Sequence, residues 1–106
     1  MLIRTAAAQD LPAIQSIYAH HVLHGLASFE EEAPPLEEMR RRFEAVTGDG
    51  LPYLVAEQKG EVLGYGYCTL YRTRSAYRYA LEDSIYVKQG KQGQGVGKAM
   101  LTELIA

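Results

Sequence analysis

Residues 53–72, YLVAEQ-KG-EVLGYGYCTLYR, leave this chain few ways to fold. Six residues of strand character, the pair Lys59-Gly60 and twelve more strand residues predict a tight hairpin, and with it an antiparallel sheet. In the longer arm, alternation places Val62, Gly64, Gly66, Cys68 and Leu70 on one side. Leu63, Tyr65, Tyr67, Thr69 and Tyr71 fall on the other. Two glycines on one side predict that a helix or a second backbone comes close there. The chain has 8 Tyr against 2 Phe and no Trp. These tyrosines are expected as half-buried strand residues with their hydroxyls toward water. Cys68, the single cysteine, reads as a small core residue rather than a nucleophile.

Around the hairpin the periodicity changes. A short strand is predicted at 2–6. A helix follows over 9–25, with Asp10 as its cap, Pro12 in its first turn and Gly25 at its end. Leu11, Ile14, Ile17, Tyr18 and Val22 share one face of that helix. The acidic stretch LASFEEEAPP connects to a second helix over 36–50, whose apolar positions are Leu36, Met39, Phe43 and Val46. Glu37 and Glu38 sit in its first turn and Arg40 to Arg42 further on, in agreement with the helix dipole. After the hairpin come a connection, TRSA, and a strand over 77–88. A glycine-rich loop follows, and then a helix from about Gly95. The order is β-α-α-β-β-β-loop-α, an α+β domain with a mostly antiparallel sheet flanked by helices. The last helix has no C-terminal cap before Ala106, so residues 1–106 are expected to be one domain whose C-terminal part is missing.

Charge and patterning narrow the function. A net charge of −2 gives no bulk basic field for nucleic acid. The N-terminus lacks a basic-then-apolar signal, and no apolar run approaches the roughly 20 residues that span a bilayer. A cytoplasmic protein without a membrane partner is expected. His20, His21 and His24 invite a metal reading, but no nearby Cys or further His completes a site. They are expected as polar helix histidines near a pocket or interface, with no metal.

The loop, KQGKQGQGVGKAM, places Gly90, Gly93, Gly95 and Gly97 just before a helix. Glycine there costs roughly 0.5–1 kcal/mol each, so bare backbone is required. A strand, a glycine loop and a helix start make an anion site, because the first helical N–H groups have no internal partner. Two phosphate motifs fail. A Walker A loop needs Gly where Gln92 stands and Ser or Thr where Ala99 stands. A dinucleotide fingerprint needs Gly where Met100 or Lys98 stands. The pattern Gln/Arg-x-x-Gly-x-Gly/Ala is met in full by Gln92, Gly93, Gln94, Gly95, Val96 and Gly97. In this the chain resembles the GNAT N-acetyltransferases, whose acetyl-CoA pyrophosphate loop has that pattern after the last strand of a meander. Within that superfamily, IRTAAAQDLPAIQSIYAHHV, LASFEEEAPP and YRTRSAYRYALEDSIYV resemble the phosphinothricin and methionine sulfoximine acetyltransferase group. The resemblance covers nearly the whole chain and implies the GNAT acyl-CoA N-acyltransferase fold, a mixed, mostly antiparallel sheet in a three-layer arrangement.

The residues can be matched to the chemistry of acetyl transfer. Glu82 is the candidate general base, since a buried glutamate with a pKa raised to about 6–7 suits proton removal from an amine. Asp83, next to it, points to the opposite face of a regular strand. Arg72 and Arg74 fall on one face if extended and suit a substrate carboxylate; the alternative is a pair of surface cations at a strand end. The resemblance implies that Ile85, Tyr86 and Val87 offer backbone groups to the pantetheine arm. It implies that Gly93 to Lys98 hold the pyrophosphate, with Lys98 as a point charge or a plain surface lysine. It also places substrate contacts at Phe29, Arg72, Thr73, Arg74, Glu82, Asp83 and Ser84, and implies a homodimer. The expected activity is acetyl-CoA-dependent acetylation of the amine of a small amino-acid-like substrate by direct attack. Two alternatives stand beside it: acetylation of peptide N-termini, and a non-catalytic acetyl-CoA-binding domain.

Overall fold

The structure is a computed structural model, described for residues 1–24, 32–72, 79–90 and 95–104, without the side chains of 70–72 and 79–82. Strand β1 (Leu2–Thr5) leads through a short 3-10 turn (Ala8–Asp10) into helix α1 (Leu11–Leu23). Helix α2 is Leu36–Gly48. Strands β2 (Tyr53–Gln58), β3 (Glu61–Arg72) and β4 (Tyr79–Val87) follow, then helix α3 (Val96–Leu104). The sheet order is β1-β2-β3-β4, every neighbouring pair antiparallel.

The β2–β3 turn explains the predicted hairpin. Lys59 has φ 53° and Gly60 φ 79°, the two positive values of a type I′ turn, whose twist matches that of the strands it joins. Beyond the turn the alternation departs from expectation. Ala56 faces Gly64, but Glu57 faces Val62, so Leu63 is an extra residue in β3. This β-bulge re-phases the strand start. Val62 therefore packs with the α1/α2 side, and Leu63 joins Ala56, Val96 and Met100 on the α3 side. The predicted sides of these two residues are exchanged; Tyr65 lies on the α1/α2 side and Gly64 on the α3 side as expected.

The two sides of the sheet form separate cores. On one side, Leu11, Ile14, Ile17, Tyr18 and Val22 of α1 and Met39 and Val46 of α2 cover Tyr53, Val55 and Tyr65. These are the apolar helix faces read from the spacing. Tyr67 and Tyr86 are half-buried as expected, but two strand tyrosines go deeper: Tyr65 is 1% exposed and Tyr53 2%. They are covered by two helices rather than edged with water, and burial pushes both phenols well above their ordinary pKa. On the other side, Val96 and Met100 of α3 pack on Ala56 and Leu63, with Ile3, Leu54, Ile85 and Val87 around them.

Asp10 stands at the N-cap position of α1, as expected, but makes no side-chain cap bond to it. Its own backbone is already helical (φ −83°, ψ −12°), and its carboxylate turns back to accept the Ala7 N–H at 2.7 Å. Both of its oxygens also accept from Arg4 at 2.8 Å, and Arg4 reaches Glu57 at 2.9 Å. The Arg4 guanidinium holds the Asp10 carboxyl below its usual range. The trio fastens β1, the entry to α1 and β2 together.

Candidate active site

Strand β4 and the start of α3 position the site. Lys88 donates its N–H to the Leu63 carbonyl at 2.7 Å, so Gly64 and Val87, which are register partners, form a non-hydrogen-bonded pair. Antiparallel ladders alternate. The N–H and C=O of Val87 and Ile85 therefore face away from β3, and those of Tyr86 and Ser84 face toward it. A Cβ added at Gly64 would lie 2.9 Å from the Tyr86 carbonyl oxygen, consistent with that direction. Among the described residues β4 is the sheet's edge, and its outward groups, apart from the Val87 carbonyl, which accepts from His21, are available for an extended ligand to pair with. The expectation that Ile85, Tyr86 and Val87 all offer backbone groups thus narrows to Ile85 and Val87.

Helix α3 begins beside the end of that strand. Gly95 has φ +80°, a conformation that other residues rarely adopt, and an added Cβ there would meet nothing within 4 Å. Its carbonyl accepts the Ala99 N–H at 3.0 Å, so Gly95 caps the helix and the next amides are its open donors. The Val96 side chain is buried against the sheet and anchors the helix start. At Gly97 an added Cβ would lie 3.8 Å from a Val87 methyl, ordinary contact. Lys98 is exposed on the helix surface. Gln92, Gly93 and Gln94 lie outside the described residues, as do Phe29, Thr73 and Arg74.

Glu82 sits opposite Thr69 in the ladder and Arg72 opposite Tyr79; their side chains lie outside the described residues. Asp83 faces Cys68 across the strands, and the Cys68 thiol donates to its carboxylate at 3.0 Å. Burial, and then the adjacent carboxylate, push the thiol up to about 11, so it stays neutral, as expected for a core cysteine. Ser84 faces Tyr67. The α1/α2 side of the strand is lined by rings. Tyr65 and Tyr86 stack at 5.2 Å, and Tyr18 meets Tyr86 edge-on at 5.2 Å.

Two features carry no sequence signal of their own. His21 of α1 donates from Nε2 to the Val87 carbonyl at 2.8 Å, across 66 residues of chain. A cavity of about 270 Å³ lies on the α1 side, lined by Ala13, Ser16, Ile17, His20, Val62, Lys88 and Gln89. It borders the end of β4 but holds none of the predicted site residues. His20 does line a pocket, as the helix histidines were expected to. Desolvation, and then the neighbouring His24 and His21, hold its pKa below the usual value. Among the described residues, no group of three or more His, Cys, Asp or Glu is placed to hold a metal ion. No described helix is long and apolar enough to cross a membrane.

Comparison with known proteins agrees with this geometry. The chain is 57% identical over 104 residues to phosphinothricin N-acetyltransferase of Alcaligenes faecalis, covering 98% of this chain and 53% of that protein. It is 37% identical over 105 residues to the L-methionine sulfoximine/L-methionine sulfone acetyltransferase of Salmonella typhimurium strain LT2, covering 99% and 61%. The crystal structure of a phosphinothricin acetyltransferase from Sinorhizobium meliloti in complex with AcCoA superimposes with a TM-score of 0.90 at 47% identity, covering 98% of this chain and 57% of that one. The chain thus spans little more than half the length of its relatives. The acetyltransferase (GNAT) family model matches residues 14–106. With that match over most of its length, and a β4 edge unpaired among the described residues that runs toward a glycine-capped helix, the chain belongs to the GNAT acetyltransferase family.

Proposed function

We propose that this chain is the acetyl-CoA-binding part of an N-acetyltransferase acting on the amine of a small amino-acid-like substrate of the phosphinothricin, methionine sulfoximine or methionine sulfone type. The observation that carries this reading is the outward edge of β4 at Ile85 and Val87, continuous with the glycine-capped start of α3. The edge suits an extended, amide-bearing arm, and the helix start suits a pyrophosphate. The substrate class follows from the relatives, which act on such compounds by name.

When bound, acetyl-CoA supplies the activated acetyl group. The roles proposed for the chain's own residues join their chemistry to the resemblance described above. Glu82 takes a proton from the substrate amine, directly or through a water, so that the neutral amine attacks. The outward N–H at Ile85 suits a developing oxyanion. The amides from Gly93 to Lys98 hold the pyrophosphate after Gln92. Arg72 and Arg74 bind a substrate carboxylate as bidentate donors, with Phe29, Thr73 and Ser84 around the substrate; Asp83 alternates to the other side of β4, against Cys68, and is left out of this reading. In this reading the protein works in the cytoplasm as a homodimer.

The test is release of CoA thiol from acetyl-CoA with methionine sulfone, phosphinothricin and a basic peptide, for wild type and Glu82→Gln. Release with the small amines, reduced at least about 100-fold in the variant, is expected. Release with the peptide alone would move the substrate class. A variant as fast as wild type would remove Glu82 from the chemistry.

A further inference from the structure

Resting on that acetyltransferase reading, we infer that His21 is a positioning residue for acetyl-CoA: it sets the register in which the pantetheine arm pairs with the β4 edge. The Val87 carbonyl is on the open side of the ladder, where a strand-like ligand would look for an acceptor. His21 Nε2 already donates to it at 2.8 Å. The acceptor nearest the glycine loop is therefore taken from within the chain. The Val87 N–H and the Ile85 groups remain as the next outward positions. An arm pairing like an added strand cannot slip one step toward the loop without displacing the imidazole, so its first donor is the Val87 N–H and its first acceptor the Ile85 carbonyl.

The imidazole is itself held. It meets the Tyr86 ring edge-on at 5.5 Å and the His20 ring at 5.9 Å. Tyr86 in turn packs on Tyr65 and Tyr18. The hydrogen bond also fixes the last residue of β4, whose methyl lies 3.8 Å from where a Cβ on Gly97 would stand. One side chain of α1 thus steadies both the strand edge and the neighbouring helix start.

Two substitutions separate the donor from the packing. His21→Phe keeps a ring against Tyr86 and loses the N–H. His21→Gln loses the ring and keeps an N–H of similar reach. In the full-length protein, acetyl-CoA affinity is measured by calorimetry, followed by kcat and the KM of each substrate, with the melting temperature alongside. His21→Phe is expected to weaken acetyl-CoA about five- to tenfold in Kd and KM. Its kcat and amine KM should stay within about twofold. His21→Gln should recover most of the affinity. Wild-type affinity in His21→Phe would overturn the proposal. So would a Gln variant as weak as Phe, or a loss shared equally by both KM values and tracking a lowered melting temperature. A wild type that binds no acetyl-CoA would overturn the acetyltransferase reading itself, whereas wild-type binding indifferent to His21 would overturn only the positioning role.

Discussion

The two sides of the sheet solve the same packing problem with opposite materials. Toward α1 and α2 the strands present large rings, with Tyr53 stacked on Tyr65 at 6.0 Å and on Tyr67 at 5.0 Å, and Phe43 of α2 edge-on to Tyr53 at 5.1 Å. Toward α3 they present aliphatic side chains and, in β3, two glycines. A Cβ at Gly64 would stand 3.2 Å from a Val96 methyl, and one at Gly66 3.2 Å from a Leu104 methyl. Bulky rings hold two helices off the sheet and fill the space between. Glycines let one helix settle onto the backbone, which brings its first amides beside the end of β4. The aromatic side contributes stability by volume and the glycine side by closeness, and the candidate site lies where the backbones come close.

The comparison breaks most visibly if the ring side is hollowed. Tyr65→Ala removes a ring that is 1% exposed and should cost about 3–5 kcal/mol, read as a lowered urea midpoint. Filling the other side should hurt nearly as much. Gly64→Val brings a side chain against a strand carbonyl and Val96, with an expected cost of about 3 kcal/mol, the upper end for overpacking. If Gly64→Val were neutral, close approach of α3 would not be the reason for the glycine. The smallest effect lies outside both cores and serves as the control. Asp10→Asn should cost about 1 kcal/mol, and its effect should depend on pH. The native pKa of Asp10 lies below the ordinary 3.8. Its contribution is therefore complete above that value and is lost as pH falls through the lower native one. Wild type and Asp10→Asn should converge in melting temperature in strong acid and differ at neutral pH.

Sequence patterns reached most of this architecture because most of it is local. Lys59-Gly60 marks its own turn, the 3-4 spacing in α1 and α2 marks their buried faces, and Gly64 and Gly66 announce a close neighbour before that neighbour is known. The glycine loop announced itself too, and Gly95 carries the positive φ that explains one of its glycines. What escaped was non-local or out of phase. No residue type flags the extra Leu63, so alternation counted straight through the bulge and exchanged Val62 with Leu63. Asp10 stands where caps stand, but Arg4 and the Ala7 amide compete for its oxygens. His21 was grouped with His20 and His24 by proximity in sequence, and its partner is 66 residues away.

The tyrosine arrangement also gives the molecule a built-in optical probe. With no tryptophan in the chain, no described side chain dominates the near-ultraviolet signal, and four strand tyrosines sit with ring centres 5.0–6.3 Å apart. Rings that close couple their transitions and pass excitation among themselves. Among the described residues, the tyrosine contribution to near-ultraviolet circular dichroism and emission therefore comes from the α1/α2 side of the sheet. Melting followed by these signals alongside amide exchange on α3 would read the two sides as separate channels of one unlabelled protein.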